Sequence, residues 1–273
     1  MQKLIRRVCA KIERCSTGKI NWIRTLYFNF RILPFRIAKI LPFYIYGKPA
    51  FNNLSGAINF KCPIKRGMVK INEPKIFAPS IQTINSQINI SGTLIIRGES
   101  MVGCGTKIII AKGAVLDIGR CTKITDFCNI DCWEKIVIGD GSTIAHRSQI
   151  MDSNHHFILK MKERTISNNK RAIVIGKQCW ICNSSTLTGG TVLPDFTIVG
   201  SNSLVNKDFS QEGGNILIGG IPAKIISKDI FRIYDQDKED ELIAFFNNSK
   251  EKIYHLPIDM DIDTFKGGRK TLD

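Results

Sequence analysis

No apolar run in this chain reaches the ~18–20 residues that a membrane-spanning helix needs. The apolar stretches near its start are cut by Arg31, Arg36 and Lys39. The opening MQKLIRRVCAKIERC is basic but has no apolar centre followed by a cleavage site, so no secretory leader is expected. The nine cysteines are odd in number and show no CxxC…CxxC spacing, which argues against a disulfide framework and a cysteine metal site. Reduced thiols in a cytoplasmic protein fit, some of them as small core residues. Histidine is scarce, with four in the chain, so each can be weighed singly.

Acid is scarce at one end. Residues 1–48 hold eleven Lys/Arg and one acid, Glu13, so 11 − 1 = +10 of the total +15 falls there. A basic head implies an anionic partner. The inner surface of a membrane fits best, and a solvated face or an inter-subunit contact is the plain alternative. Nucleic acid is not expected, because no nucleic-acid motif accompanies the charge.

What the chain does have is a period of six. From Ile84 it runs through Ile90, Ile96, Val102, Ile108 and Ala114. After a slip of four come Ile118, Ile124, Ile130 and Ile136; after a slip of two, Ile138, Ile144 and Ile150. The pattern stops from about Asp152 to Ala172 and resumes at Ile175, Ile181, Leu187, Leu193, Val199 and Val205. A helix would need spacings of three and four, and a half-buried strand an alternation by two. Six fits a parallel β-helix, in which one hexad makes a short strand and a corner, and three make a coil of about 18 residues. The aliphatic positions then point inward, with Gly139, Ala145, Gly176 and Gly200 at corners. An antiparallel sandwich with coincidental spacing is the weaker alternative.

This pattern resembles the hexapeptide-repeat acyltransferases from about Ile84 to Ile226. The carrying stretches are IVIGDGSTIAHRSQIMDSNHHFI, IVIGKQCWICNSSTLTGGTVLPDFTIVGSNSLVNKDF and IGGIPAKII. The resemblance implies a mainly β chain, a left-handed parallel β-helix with short N-terminal and C-terminal helical segments. The N-terminal TLYFNFRILPFRIAKILPFYIYG is similar to members from bacterial surface-polysaccharide gene neighbourhoods. The expected parts are a basic amphipathic helical segment (1–48), the β-helix (49–226) and a C-terminal helical extension and tail (227–273). Breaks are expected near Gly18, Pro34 and Pro42, irregular strands over 50–80, helix in SKDIFRIYD and QDKEDELIAFFNNSKEKI, and a frayed tail.

The break in the repeat is where chemistry is expected, since functional loops leave rigid scaffolds. The resembling enzymes carry Asp-x-Asp-x-His-x-Ile there. Aligned on Ile158, this places the catalytic histidine at His156, with Asp152 as the first acid and Asn154 in place of the second. An imidazole suits this chemistry, because a sugar hydroxyl is a poor nucleophile and a neutral imidazole accepts its proton. Nε2 is expected to face the hydroxyl, with Nδ1–H held by a carbonyl or by Asp152. His155 is expected on the acceptor side, with a shift of the base by one residue left open. His146 falls on an outer face and His255 in the solvated tail.

By the same resemblance Asn129, Asp131 and Trp180 border the acceptor, although Asp131 also suits a turn and Trp180 plain packing. Trp133 suits a sugar platform and an interface equally. The implied donor is acetyl-CoA, with no metal. Asn183, Ser201, Asn206, Lys207 and Lys224 match the positions that hold it, the two lysines meeting phosphates as point charges. Cys182 and GSNS depart from the family pattern and put the pantetheine contacts in doubt. A donor groove between prisms implies a homotrimer. The resulting expectation is an O-acetyltransferase acting on a carbohydrate. The alternatives are transfer to an amine, a non-catalytic assembly protein, and a metal-dependent hydratase on the same prism. The Asp-Arg-His-Pro signature of serine acetyltransferases is absent.

Overall fold

A computed structural model describes residues 19–73 and 84–267. Three parallel sheets of nine, seven and six strands form the sides of a prism, the nine-stranded one ending in an antiparallel pair. The prism is a left-handed β-helix with hexapeptide repeats. Successive strands return to the same sheet one coil later, so that Gln87 pairs with Lys107, Lys107 with Asn129 and Asn129 with Gln149. These steps are 20, 22 and 20 residues, longer than the expected 18. Coils of 18 residues appear only late, as from Thr186 to Leu204.

The longer coils explain the slips in the period. Most of their strands are four residues long and turn two side chains inward, as Leu116 with Ile118 and Ile136 with Ile138. From Ile90 to Val205 every aliphatic residue of the register is buried. Ile84 is the exception, half exposed just before its strand begins. Corners pack backbone on backbone: a Cβ at Gly139 would clash with the Gly176 carbonyl oxygen.

Both ends depart from expectation. Strands Ala50–Leu54, Ala57–Phe60 and Val69–Glu73 are full members of the three sheets, and the first strand, Phe43–Ile45, already belongs to the nine-stranded one. The helices before it are α1 (Trp22–Ile32) and the single turn α2 (Phe35–Ala38), separated at Pro34; the break expected near Gly18 lies outside the described residues. At the other end, Ala223–Lys228 is a strand paired back on Ile216–Gly220, and the helix expected in SKDIFRIYD does not form. Pairing satisfies backbone groups that would otherwise sit at the open end of the prism. Helix α3 spans Gln236–Asn248. The expected frayed tail instead docks as far as Gly267: Phe265 is buried, and Gln178 Nε2 donates to the Lys266 carbonyl at 3.2 Å. Among the described residues no helix is long and apolar enough to cross a membrane.

Candidate active site

The seven-stranded sheet carries the site at one corner. Strand Asn129–Cys132 lies beside Gln149–Met151, and the chain leaves the prism immediately after the latter. Asp152, fully buried, anchors the departure. Its Oδ1 accepts from the Trp133 amide at 2.7 Å, and its Oδ2 from the Glu134 and Lys135 amides at 2.9 and 2.8 Å. The Asp152 carbonyl accepts from the Arg171 amide at 2.9 Å, so the excursion returns where it left. Between these points Ser153 bridges Lys170, and Leu159–Lys160 pairs with Thr165–Ile166 as a small exposed hairpin.

Asp152 makes no hydrogen bond to an imidazole; its two oxygens accept from three backbone amides. The Asn154 side chain is exposed and has no hydrogen bond among the described residues; only its amide is used, donating to the Asn169 carbonyl. His156 is exposed and has no ion pair, hydrogen bond or ring contact among the described residues.

The neighbouring histidine is the one that is held. His155 has a left-handed backbone (φ 59°), and its amide donates to Ser153 Oγ at 3.0 Å. Its Nε2 lies 2.8 Å from Asp131 Oδ2. The other Asp131 oxygen accepts from the Trp133 indole N–H at 2.7 Å, and the indole meets the imidazole edge-on at 5.0 Å. The Asp131 side chain is 11% exposed and that of His155 42%, so a shielded carboxylate backs a ring open to a substrate. Nε2–H donates to Asp131, which leaves Nδ1 as the free acceptor, the reverse of the expected ring orientation. Lys170 stands 5.8 Å over the Trp133 ring and adds positive charge beside the site.

Asp131, expected on the acceptor side, is hydrogen-bonded to His155, and Trp133 donates its indole N–H to Asp131. Asn129 lies two residues away on the same strand and face, its amide 3.9 Å from Met151 Sδ. The structure does not bring Trp180 to this site within one chain: it belongs to the nine-stranded sheet, with the Arg232 guanidinium 4.7 Å over its ring. His146 is exposed at a corner and His255 is exposed near the C-terminal end.

The five donor candidates occupy the late coils. Asn183 and Ser201 sit at successive corners, joined by a 2.7 Å bond from Ser201 Oγ to Asn183 Oδ1. Asn206 and Lys207 follow the last strand of the seven-stranded sheet, with the Lys207 ammonium 4.8 Å over the Phe209 ring. Lys224 is exposed on the terminal hairpin. Burial raises the thiols of Cys104, Cys128 and Cys179 to about 12 and pushes Cys132, beside Asp152, higher still. None of these four is a ready nucleophile. Among the described residues no three His, Cys, Asp or Glu side chains converge as a metal site requires.

The fold is a left-handed β-helix of hexapeptide repeats, and a histidine held by a carboxylate stands where the repeat is interrupted. Particular relatives sharpen the likeness, although no family model matches the chain. It is 28% identical over 140 residues, 48% of its length and 70% of the relative's, to WbbJ of Escherichia coli (strain K12). That protein is provisionally assigned as a lipopolysaccharide biosynthesis O-acetyl transferase. It is 26% identical over 235 residues, 84% of its length and 96% of the relative's, to an uncharacterized 24.8 kDa protein from the cps region of Klebsiella pneumoniae. Among solved structures, the polySia specific acetyltransferase NeuO shares the fold, with a TM-score of 0.51 at 16% identity, covering 79% of this chain and 91% of that one.

Proposed function

We propose that this chain is an acetyl-CoA-dependent O-acetyltransferase that esterifies a sugar hydroxyl of a surface polysaccharide or its precursor, with His155 as general base. The observation that carries the reading is the Asp131–His155 pair at the interruption of a hexapeptide β-helix. The names of the relatives support acetyl transfer to a surface polysaccharide.

The steps follow from the ring's hydrogen bonds. The sugar oxygen attacks the thioester carbonyl as His155 Nδ1 takes the hydroxyl proton. Asp131 holds Nε2–H and balances the imidazolium charge. As the carbon–sulfur bond breaks, the imidazolium returns that proton to the departing sulfur, leaving an ester and a free thiol. No covalent acyl-enzyme forms. Asn183, Ser201, Lys207 and Lys224 suit a long polyanionic donor: amide and hydroxyl for the arm, ammonium groups for the phosphates. Because Trp180 lies on another sheet, and Asn183 and Ser201 sit at the opposite edge of the seven-stranded sheet from His155, the complete site draws on a second copy. A homotrimer meets this need, and residues 1–48 contribute a peripheral contact with an anionic membrane at its cytoplasmic face.

The test is acceptor-dependent thiol release from acetyl-CoA across a panel of sugar nucleotides and oligosaccharides, for the wild type, His155→Ala and His156→Ala. Loss in His155→Ala alone is expected. Loss in His156→Ala alone would return the base to the neighbouring residue, and donor binding without any acceptor would leave only the donor half of the reading.

A further inference from the structure

Helix α1 buries Phe28 in the core together with two polar side chains, and leaves an apolar face outward. Its buried positions include Thr25 and Asn29, while Trp22, Ile23, Leu26, Tyr27 and Phe30 face outward, joined by Phe35 of α2. These six side chains are between 45% and 83% exposed. The inward polar groups serve the sheet. Strand Phe43–Ile45 is the outermost of its sheet, and its free edge needs partners. Asn29 Oδ1 accepts from the Phe43 amide at 3.2 Å, and Asn29 Nδ2 donates to the Phe43 carbonyl at 2.8 Å. Thr25 Oγ1 accepts from the Ile45 amide at 3.0 Å. The helix therefore closes the prism with hydrogen bonds and leaves Ile23, Leu26, Phe30 and Phe35 uncovered among the described residues.

The charge around that face identifies the occupant. From Lys19 to Asn72 there are ten Lys/Arg and no Asp or Glu. Arg31, Arg36 and Lys39 are exposed on and beside the two helices. A second copy docking by the same face would meet only like charge. Residues 1–18 carry five Lys/Arg against one Glu, so they offer the same sign. Aromatic and aliphatic side chains at helical spacing, rimmed by cations, match the headgroup region of an anionic bilayer.

We infer that α1 and α2 seat this end of the prism on an anionic lipid surface through Ile23, Leu26, Phe30 and Phe35, with Arg31, Arg36 and Lys39 at the phosphates. The lipid contact stands independently of the reaction; its consequence for the acceptor rests on the reading above. The His155 coil is four strand steps from the first strand of its sheet, about 19 Å at ~4.8 Å per step. The site then overlooks the bilayer at a height suited to a glycan tethered to lipid, rather than to a free sugar in bulk solution.

The experiment is co-sedimentation of the full chain with phosphatidylcholine vesicles, with and without phosphatidylglycerol, beside Ile23→Glu/Phe30→Glu and Arg31→Glu/Arg36→Glu. All four positions point away from the Asn29 and Thr25 bonds, and circular dichroism checks the fold. The expected result is binding that needs phosphatidylglycerol, is lost in the apolar double variant, and weakens about fivefold or more per reversed charge. Thiol release with a soluble acceptor is expected to be unchanged in both, which separates failure here from failure of the transferase reading. No binding by the wild type, or equal binding by all three proteins, would overturn the inference. So would a change in oligomeric mass in the apolar variant without a change in vesicle binding, which would assign the face to a second copy.

Discussion

The coils from Ile173 to Val205 and the excursion from Ser153 to Lys170 are adjacent in the chain and follow opposite rules. In the coils every sixth side chain is aliphatic and buried, and backbone groups pair with the coil before and the coil after. In the excursion almost every side chain beyond Ser153 is exposed, including Phe157, Ile158, Leu159 and Met161. Burial makes the first region repetitive, because one shape fits a narrow prism. The second is free of that demand, so single contacts decide its conformation. The histidine pair straddles the difference: His155 is tied back to the prism through Asp131, and His156 is not.

That contrast can be broken experimentally. The largest effect is expected at His155: replacement by Ala removes the proposed general base and should lower kcat by ~10²–10⁴, while His156→Ala should stay within a few-fold, read by thiol release. Next, Asp152→Ala would remove a buried carboxylate that three backbone amides share and lower stability by ~2–3 kcal/mol, measured by urea unfolding. Within the coils, Ile181→Ala should cost ~2–5 kcal/mol. Val174→Ala on the outer side of a neighbouring strand should cost ~0.5 kcal/mol or less by the same assay. Trp133→Phe keeps the ring and loses the indole bond to Asp131; a fall in kcat of ~tenfold at unchanged acetyl-CoA KM is expected, near 1.4 kcal/mol. The smallest signal is kinetic. Cys104, Cys128, Cys132 and Cys179, held protonated by burial, should resist iodoacetamide at pH 8 in the folded protein and react on unfolding, followed site by site by mass spectrometry.

Much of the fold was legible because it is local. The hexad places an aliphatic residue where the prism needs one, and the gap after Met151 marks where the chain leaves. The slips of four and two were also legible, although their cause, a second inward residue on longer strands, required the paired register. The site was legible as a region, and the structure then distinguishes its two histidines, holding His155 at Asp131 and leaving His156 exposed. Aligning on Ile158 assumed that the excursion keeps a fixed geometry, whereas the turn at Ser153 and the left-handed backbone at His155 bring the earlier imidazole to Asp131. The sequence distance between Asp131 and His155 carries no hint of contact; one coil of the helix makes them neighbours.

Residue type and spacing were enough to set the repeat, the buried aliphatic column, the place of the interruption and the basic N-terminal end. Each is a local pattern, and burial reads spacing directly. Four outcomes instead waited on the folded prism: which histidine is held, that Asp152 serves backbone amides, that Trp180 lies on another sheet, and that α1 turns polar groups inward. Those depend on pairing between coils, where hydrogen-bond partners are set by stacking in space and have no signature in the local pattern.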